Sequence, residues 1–218
     1  NITPTAPRDA EWRKELRDAM TAKERGTIQR VKMPELDPDY RITCNEEVNQ
    51  GLTADMARQE ATRCLDCPKP TCMEGCPVGI DIPSFVKNIQ RGEFTQASAV
   101  LRLTSALPAV CGRMCPQEKQ CESRCIYHKM GKEPVAIGYL ERFAADYANV
   151  HPEEAPEQEL PTPNGIKVAV VGSGPAGLSF AGDMIKRGYD VTVYEALHEI
   201  GGVLKYGIPE FRLPNSVV

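Results

Sequence analysis

Eight of the nine cysteines fall into two tight blocks, Cys64-x2-Cys67-x4-Cys72-x3-Cys76-Pro77 and Cys111-x3-Cys115-Pro116-x4-Cys121-x3-Cys125. No other feature limits the fold so strongly. An odd number of cysteines in a chain with no secretory h-region argues against a disulfide framework, because reducing thiol pools keep such groups free. Metal binding is the leading explanation. Short spacings let successive thiolates wrap one face of an iron–sulfur cubane, and a final Cys followed by Pro turns the chain away, so that its sulfur reaches a different cluster. On that logic Cys64, Cys67 and Cys72 share one cluster, which takes its fourth ligand from the distant block, with Cys125 the candidate. Cys76, Cys115 and Cys121 belong to the other, whose fourth ligand is open. Counting by donor softness alone favours Cys111. A pair of tetrahedral zinc sites that only staple a docking domain is the rival, although zinc knuckles favour paired Cys-x2-Cys steps. Cys44, isolated from both blocks, carries no expected role.

The rest of the chain is patterned as helices around these blocks. Trp12, Leu16, Ala19 and Met20 mark an amphipathic N-terminal helix, and Pro34 and Pro38 with no sustained period predict an extended arm to Gly51. Thr53 is a candidate N-cap for a helix running into Cys64. Pro83 suits the start of a helical pair that breaks near Gly92, with Phe85, Ile89, Phe94, Ala97, Leu101 and Leu107 on its apolar face. A last helix is expected from Pro134 to about Ala148, with Ile137, Leu140, Ala144 and Tyr147 on one side.

Residues 149–165 hold four prolines and four acids and predict a linker. Beyond it a β-branched run, Ile166 to Val171, precedes Gly172-Ser173-Gly174-Pro175-Ala176-Gly177, a helical stretch to Arg187, and a second strand from Asp190 to Glu195. A glycine triplet with a strand before it, a helix after it and an acid closing the next strand is a dinucleotide fingerprint. Gly172 makes the turn, Gly174 admits the pyrophosphate, Gly177 allows close helix–strand packing, and Glu195 accepts from ribose hydroxyls. Pro175 and Ala176 then open a helix whose free N–H groups and positive dipole end favour phosphate.

The stretch from Leu65 to Phe143, with CPKPTCMEGCPVGIDIPSFV, PAVCGRMCPQEKQCESRC and VAIGYLERF, resembles the N-terminal iron–sulfur domain of the glutamate synthase small (β) subunit. That domain is shared with ferredoxin:NADP oxidoreductase and dihydropyrimidine dehydrogenase. The resemblance covers Pro34 to Val218. It implies two [4Fe–4S] clusters, one on Cys64, Cys67, Cys72 and Cys125, the other on Cys76, Cys115, Cys121 and Glu141. The segment IGGVLKYGIPEFRLP resembles the flavin-side continuation of the same family, in which Gly202, Val203 and Arg212 contact FAD.

The expected organisation is an N-terminal helix and arm (1–50), a helical two-cluster domain (51–148), a linker (149–165) and the first βαβ part of a Rossmann-like FAD-binding domain (166–218). The chain lacks an initial Met and a second glycine fingerprint for NADPH. It is therefore expected to be a cut or processed piece that does not turn over alone. In the intact protein the resemblance implies electrons passing from NADPH through FAD to the clusters and on to a glutamate synthase large subunit or another accepting subunit, in support of glutamate biosynthesis. An electron-bifurcating ferredoxin:NADP oxidoreductase subunit shares every motif. A net charge of −4 and the lack of any long apolar run predict no nucleic-acid or membrane partner and a cytoplasmic location.

Overall fold

The computed structural model describes residues 5–156 and 161–218, so residues 157–160 of the expected linker lie outside the described residues. The first part is helical: α1 (Glu11–Asp18), α2 (Ala22–Arg25), α3 (Pro38–Arg41), α4 (Ala54–Thr62), α5 (Thr71–Glu74), α6 (Ile82–Arg91), α7 (Phe94–Arg102), α8 (Pro108–Met114), α9 (Ile126–Lys129) and α10 (Ile137–Val150). The second part holds β1 (Lys167–Val171), α11 (Pro175–Ile185), β2 (Asp190–Tyr194) and α12 (Val203–Tyr206). An α-helical domain is thus followed by the start of an α/β Rossmann-like fold. Among the described residues no helix is long and apolar enough to cross a membrane.

Local chemistry explains most boundaries. Thr53 Oγ1 accepts from Met56 N at 3.3 Å, starting α4, which ends just before Cys64. Asp81 caps α6 by accepting from Ser84 N at 3.2 Å, and Gly92, at φ +91°, ends it in the left-handed region that favours glycine. The chain then turns straight into α7. Phe85, Val86, Ile89, Ala97, Leu101, Leu140 and Ala144 are fully buried where α6, α7 and α10 meet. Each large side chain there contributes about 1.5–3 kcal/mol by leaving water. Phe94 packs edge-on to Phe143 at 4.9 Å between ring centroids.

Three boundaries differ from the sequence expectation. The arm is not simply extended, because Pro38 lies in the first turn of α3, where its missing N–H has no intrahelical partner to lose, and Glu35 bridges Asn49 antiparallel. Helix α10 begins at Ile137 rather than Pro134, since Ala136 N donates to the buried Glu60 carboxylate at 2.8 Å. Leu107 caps α8 instead of ending α7. In α1 the buried residue is Arg13, while Trp12 and Leu16 are only half-buried.

Two contacts bring the second part against the first. Val48 N donates to Phe211 O at 2.9 Å, and Val110 of α8 packs with Leu204 and Leu213. The most demanding contact within the first part is the crossing of α8 and α10. A Cβ on Gly112 would lie 2.5 Å from Arg142 N, and one on Gly138 would lie 2.3 Å from the Gln117 side chain. Gln117 Nε2 in turn donates to the Cys111 and Gly112 carbonyls at 3.1 and 3.3 Å. This crossing sets Cys111 and Cys115 opposite Glu141. Gly112→Ala should therefore lower the thermal midpoint, by the equivalent of about 1–3 kcal/mol of overpacking. An unchanged midpoint by circular dichroism would contradict the close approach.

Candidate metal and nucleotide site

Cys64 follows the last turn of α4, Cys67 follows the two-residue step Leu65-Asp66, and Cys72 sits on α5. Cys125 ends a short 3-10 turn, Glu122–Arg124, and caps α9. These four cysteines line one small pocket, walled by Ile82, Val86, Val135 and Ile137. Burial first, then the neighbouring Cys64 and Cys125, pushes the Cys67 thiol up to about 11 and Cys72 further. The two blocks are folded directly together. A Cβ on Gly75 would lie 2.6 Å from Gln120 O, and Thr71 Oγ1 donates to Arg124 O at 2.6 Å.

A second group forms where Cys76 leaves the first block. Burial, then Glu122, Glu141 and Cys76, pushes the buried Cys121 thiol up to about 12. Cys115 is raised still further, chiefly by its hydrogen bond with Cys111, then by burial and the charges of Cys111, Glu141 and Cys121. Cys115 and Cys121 thus lie near Glu141, with Cys76 near Cys121 and Cys111 beside Cys115. Burial and Cys111 push Glu141 up to about 8, and its Oε1 has no hydrogen-bond partner among the described residues. Cys111 lies on α8, 3.8 Å from Ser105 Oγ, and its bond with Cys115 draws its thiol down to about 6 against the effect of burial.

Crowded acidic donors of this kind resist ionisation unless a cation holds them. The orphaned Glu141 oxygen is a ligand atom without a partner among the described residues. Glu122, by contrast, is accounted for by Arg30 at 2.8 Å and Gly138 N at 3.3 Å.

The nucleotide site is equally definite. Strands β1 and β2 pair in parallel, Lys167 opposite Asp190 through Val171 opposite Tyr194. Gly172 turns at φ +98°, and a Cβ on Gly177 would lie 2.0 Å from Gly172 O, so close packing of α11 requires glycine there. A Cβ on Gly174 would meet no protein atom within 4 Å. Gly174 caps α11, Pro175 starts it and Ala176 is exposed, leaving free N–H groups facing open space. Glu195 Oε2 accepts from Ser173 N at 2.9 Å and from Ser173 Oγ, and Oε1 accepts from Leu197 N at 2.9 Å. These bonds, led by Ser173, draw the Glu195 carboxyl down to about 2. It stays ionised with lone pairs to spare. Sequence reading gave Glu195 no protein partner; the buried Ser173 hydroxyl also accepts from Gly201 N at 3.1 Å and so ties the glycine turn to the next loop.

That loop folds over the turn. Gly202, at φ +53°, comes so near that a Cβ there would lie 2.9 Å from Gly174 Cα, and Val203 opens α12 with its side chain exposed. Arg212 lies farther on, where it and Phe211 line a cavity of about 520 Å³ together with Cys115, Arg30, Arg113 and Arg142. Arg30 pairs with Glu122, and Arg113 and Arg142 both pair with Glu47. Among the described residues Arg212 makes no ion pair.

A family model described as dihydropyrimidine dehydrogenase domain II, 4Fe-4S cluster matches residues 41–152, and one described as an NAD(P)-binding Rossmann-like domain matches 170–213. The glutamate synthase [NADPH] small chain of Azospirillum brasilense is 38% identical over 176 residues, 79% of this chain and 36% of that protein. The NAD-dependent dihydropyrimidine dehydrogenase subunit PreT of Escherichia coli K12 is 40% identical over 177 residues, 79% and 41% respectively. The glutamate synthase [NADPH] small chain of Escherichia coli K12 is 35% identical over 192 residues, 88% and 40%. The chain thus spans about two fifths of the length of these relatives.

The open space at Gly174 and the closed space at Gly177 separate two kinds of glycine. In the intact protein, Gly174→Val should leave the fold in place and abolish nucleotide retention. Gly177→Ala should destabilise the fold as well. Nucleotide released on denaturation, with circular dichroism, checks both; wild-type nucleotide content in Gly174→Val would contradict the assignment.

Proposed function

The chain belongs to the family of the dihydropyrimidine dehydrogenase domain II type with a 4Fe-4S cluster, and from that premise we propose that it is the electron-relay portion of an NAD(P)H-dependent iron–sulfur flavoprotein. Cys64, Cys67, Cys72 and Cys125 hold one [4Fe–4S] cluster and Cys76, Cys115, Cys121 and Glu141 the other. Residues 51–148 form the cluster domain, 1–50 its helix and arm, 149–165 the linker and 166–218 the nucleotide segment. The observation that carries this reading is one pocket shared by Cys64, Cys67, Cys72 and Cys125, with a buried, unpartnered Glu141 carboxylate beside the remaining cysteines.

Bound at these sites, a flavin takes up a hydride as an electron pair and gives up electrons singly, and the clusters carry them one at a time. The protein's own part is to orient and insulate. The first turn of α11 and Gly174 receive the pyrophosphate of FAD, and Glu195 receives the ribose. Gly202, Val203 and Arg212 would hold the flavin, as the family resemblance implies, and Arg212 also lines the arginine-rich cavity that reaches Cys115. There an unpaired cation would stabilise negative charge on a bound flavin.

The accepting partner is most simply a glutamate synthase large subunit, in which case the electrons serve glutamate formation from glutamine and 2-oxoglutarate. A second reading, a subunit of a dihydropyrimidine dehydrogenase, is favoured by the 40% identity to PreT.

The ligand assignment is tested by Glu141→Ala and Cys111→Ala side by side. Glu141→Ala should lower iron by up to about half, or shift one cluster's potential, because one of two four-iron sites loses a ligand. Cys111→Ala, whose sulfur already has Ser105 and Cys115 as partners, should change neither. The reverse pattern in iron analysis and redox titration would make Cys111 the ligand.

A further inference from the structure

Asp66, between Cys64 and Cys67, is the one non-glycine residue among those described with a positive φ, at +51°. Its carboxylate is fully buried, yet no neighbour in sequence satisfies it. Its partners come from the N-terminal segment. Arg13 donates to both carboxylate oxygens, from Nη2 and, at 3.3 Å, from Nε, and Arg17 Nη1 donates to Oδ2 at 2.7 Å. Arg8 Nε donates to the Asp66 carbonyl at 2.7 Å. On the other side of the same turn, the buried Lys87 donates from Nζ to the Cys64 carbonyl at 2.6 Å.

Helix α1 has a further anchor in the buried Arg25, which donates to the Leu16 and Thr62 carbonyls. Its buried side chain is Arg13, which also reaches Ser84 Oγ at 3.1 Å, and Trp12 lies beneath the Arg91 guanidinium at 4.1 Å. A helix docked through a buried ion pair is weak as a stabilising device, because desolvation offsets most of the attraction. It is strong as a positioning device, because a carboxylate buried without its partners would not stay there. A left-handed aspartate likewise persists only where its surroundings fix it. This segment also lies outside residues 41–152, the stretch matched by the cluster-domain family model.

We infer that α1 is a strap completing the first cluster site, with Arg13 and Arg17 acting through Asp66 as positioning residues. They hold the Cys64–Cys67 turn in its ligating shape and fix the charge beside it. The inference rests on the two-cluster reading above.

Charge gives the test its sign. Asp66→Asn keeps the tolerance for a left-handed backbone but leaves two arginines unpaired beside the first cluster, which favours the reduced, more negative state. Arg17→Met removes a cation and leaves the carboxylate. In anaerobically prepared full chain titrated with dithionite and followed by EPR, the first cluster's potential should rise in Asp66→Asn and fall in Arg17→Met, with the second cluster unmoved. Loss of about half the iron with the second cluster's signal intact would equally support the strap. Unchanged iron and potentials in both variants, shifts of the same sign, or loss of both clusters together would overturn it. A wild-type chain without two clusters would instead refute the underlying reading.

Discussion

The structure depends on one electrostatic demand: two groups of acidic donors are buried where they cannot all ionise by themselves. Burial and mutual repulsion raise Cys67, Cys72, Cys115 and Cys121 above an ordinary thiol, and the Glu141 carboxyl above an ordinary acid. Metal binding is what makes such crowding tolerable, because the cation stabilises every donor's charged form at once. The surrounding architecture follows from that demand. The turns of the two blocks pack backbone to backbone, and α8 and α10 cross at glycine, since any bulkier contact would separate the donors.

Polar side chains do much of the holding that an apolar core does elsewhere. Glu60, fully buried, accepts from Val31 N and Ala136 N, both at 2.8 Å, and pairs with Arg63. Arg63 reaches the Glu133 and Pro134 carbonyls at 2.6 and 2.9 Å, so one ion pair fixes two separate loops. Glu47, Arg113, Arg142 and Asp146 form a second network that ties the arm to α8 and α10 beside Cys115. Loops that hold metals cannot bury enough hydrocarbon to fix themselves, and directional bonds take over that task.

How much of this the sequence reveals depends on the range of the physics. The cysteine blocks, the Thr53 cap, the Gly92 stop and the glycine fingerprint are local patterns, and their chemistry acts within a few residues. The proposed assignment of Cys76 away from its own block rests on the same local logic, since Cys-Pro turns the chain. Glu60, Asp66 and Arg13 give no such signal, since Val31 and Ala136 lie 29 and 76 residues from Glu60, and Arg13 lies 53 from Asp66. The extended reading of the arm failed because prolines were counted as breakers, while Pro38 opens a short helix after Asp37. Softness of the donor favoured Cys111, whereas burial without a partner favours Glu141, and only the structure supplies the second fact.

The central claim is that the donors hold iron–sulfur clusters, and the most direct measurement is metal and acid-labile sulfide analysis of anaerobically prepared wild-type protein. Two [4Fe–4S] sites require about eight iron and eight sulfide per chain, with broad visible charge-transfer absorbance and no stoichiometric zinc. A colourless protein carrying about two zinc ions per chain and no sulfide would contradict the account.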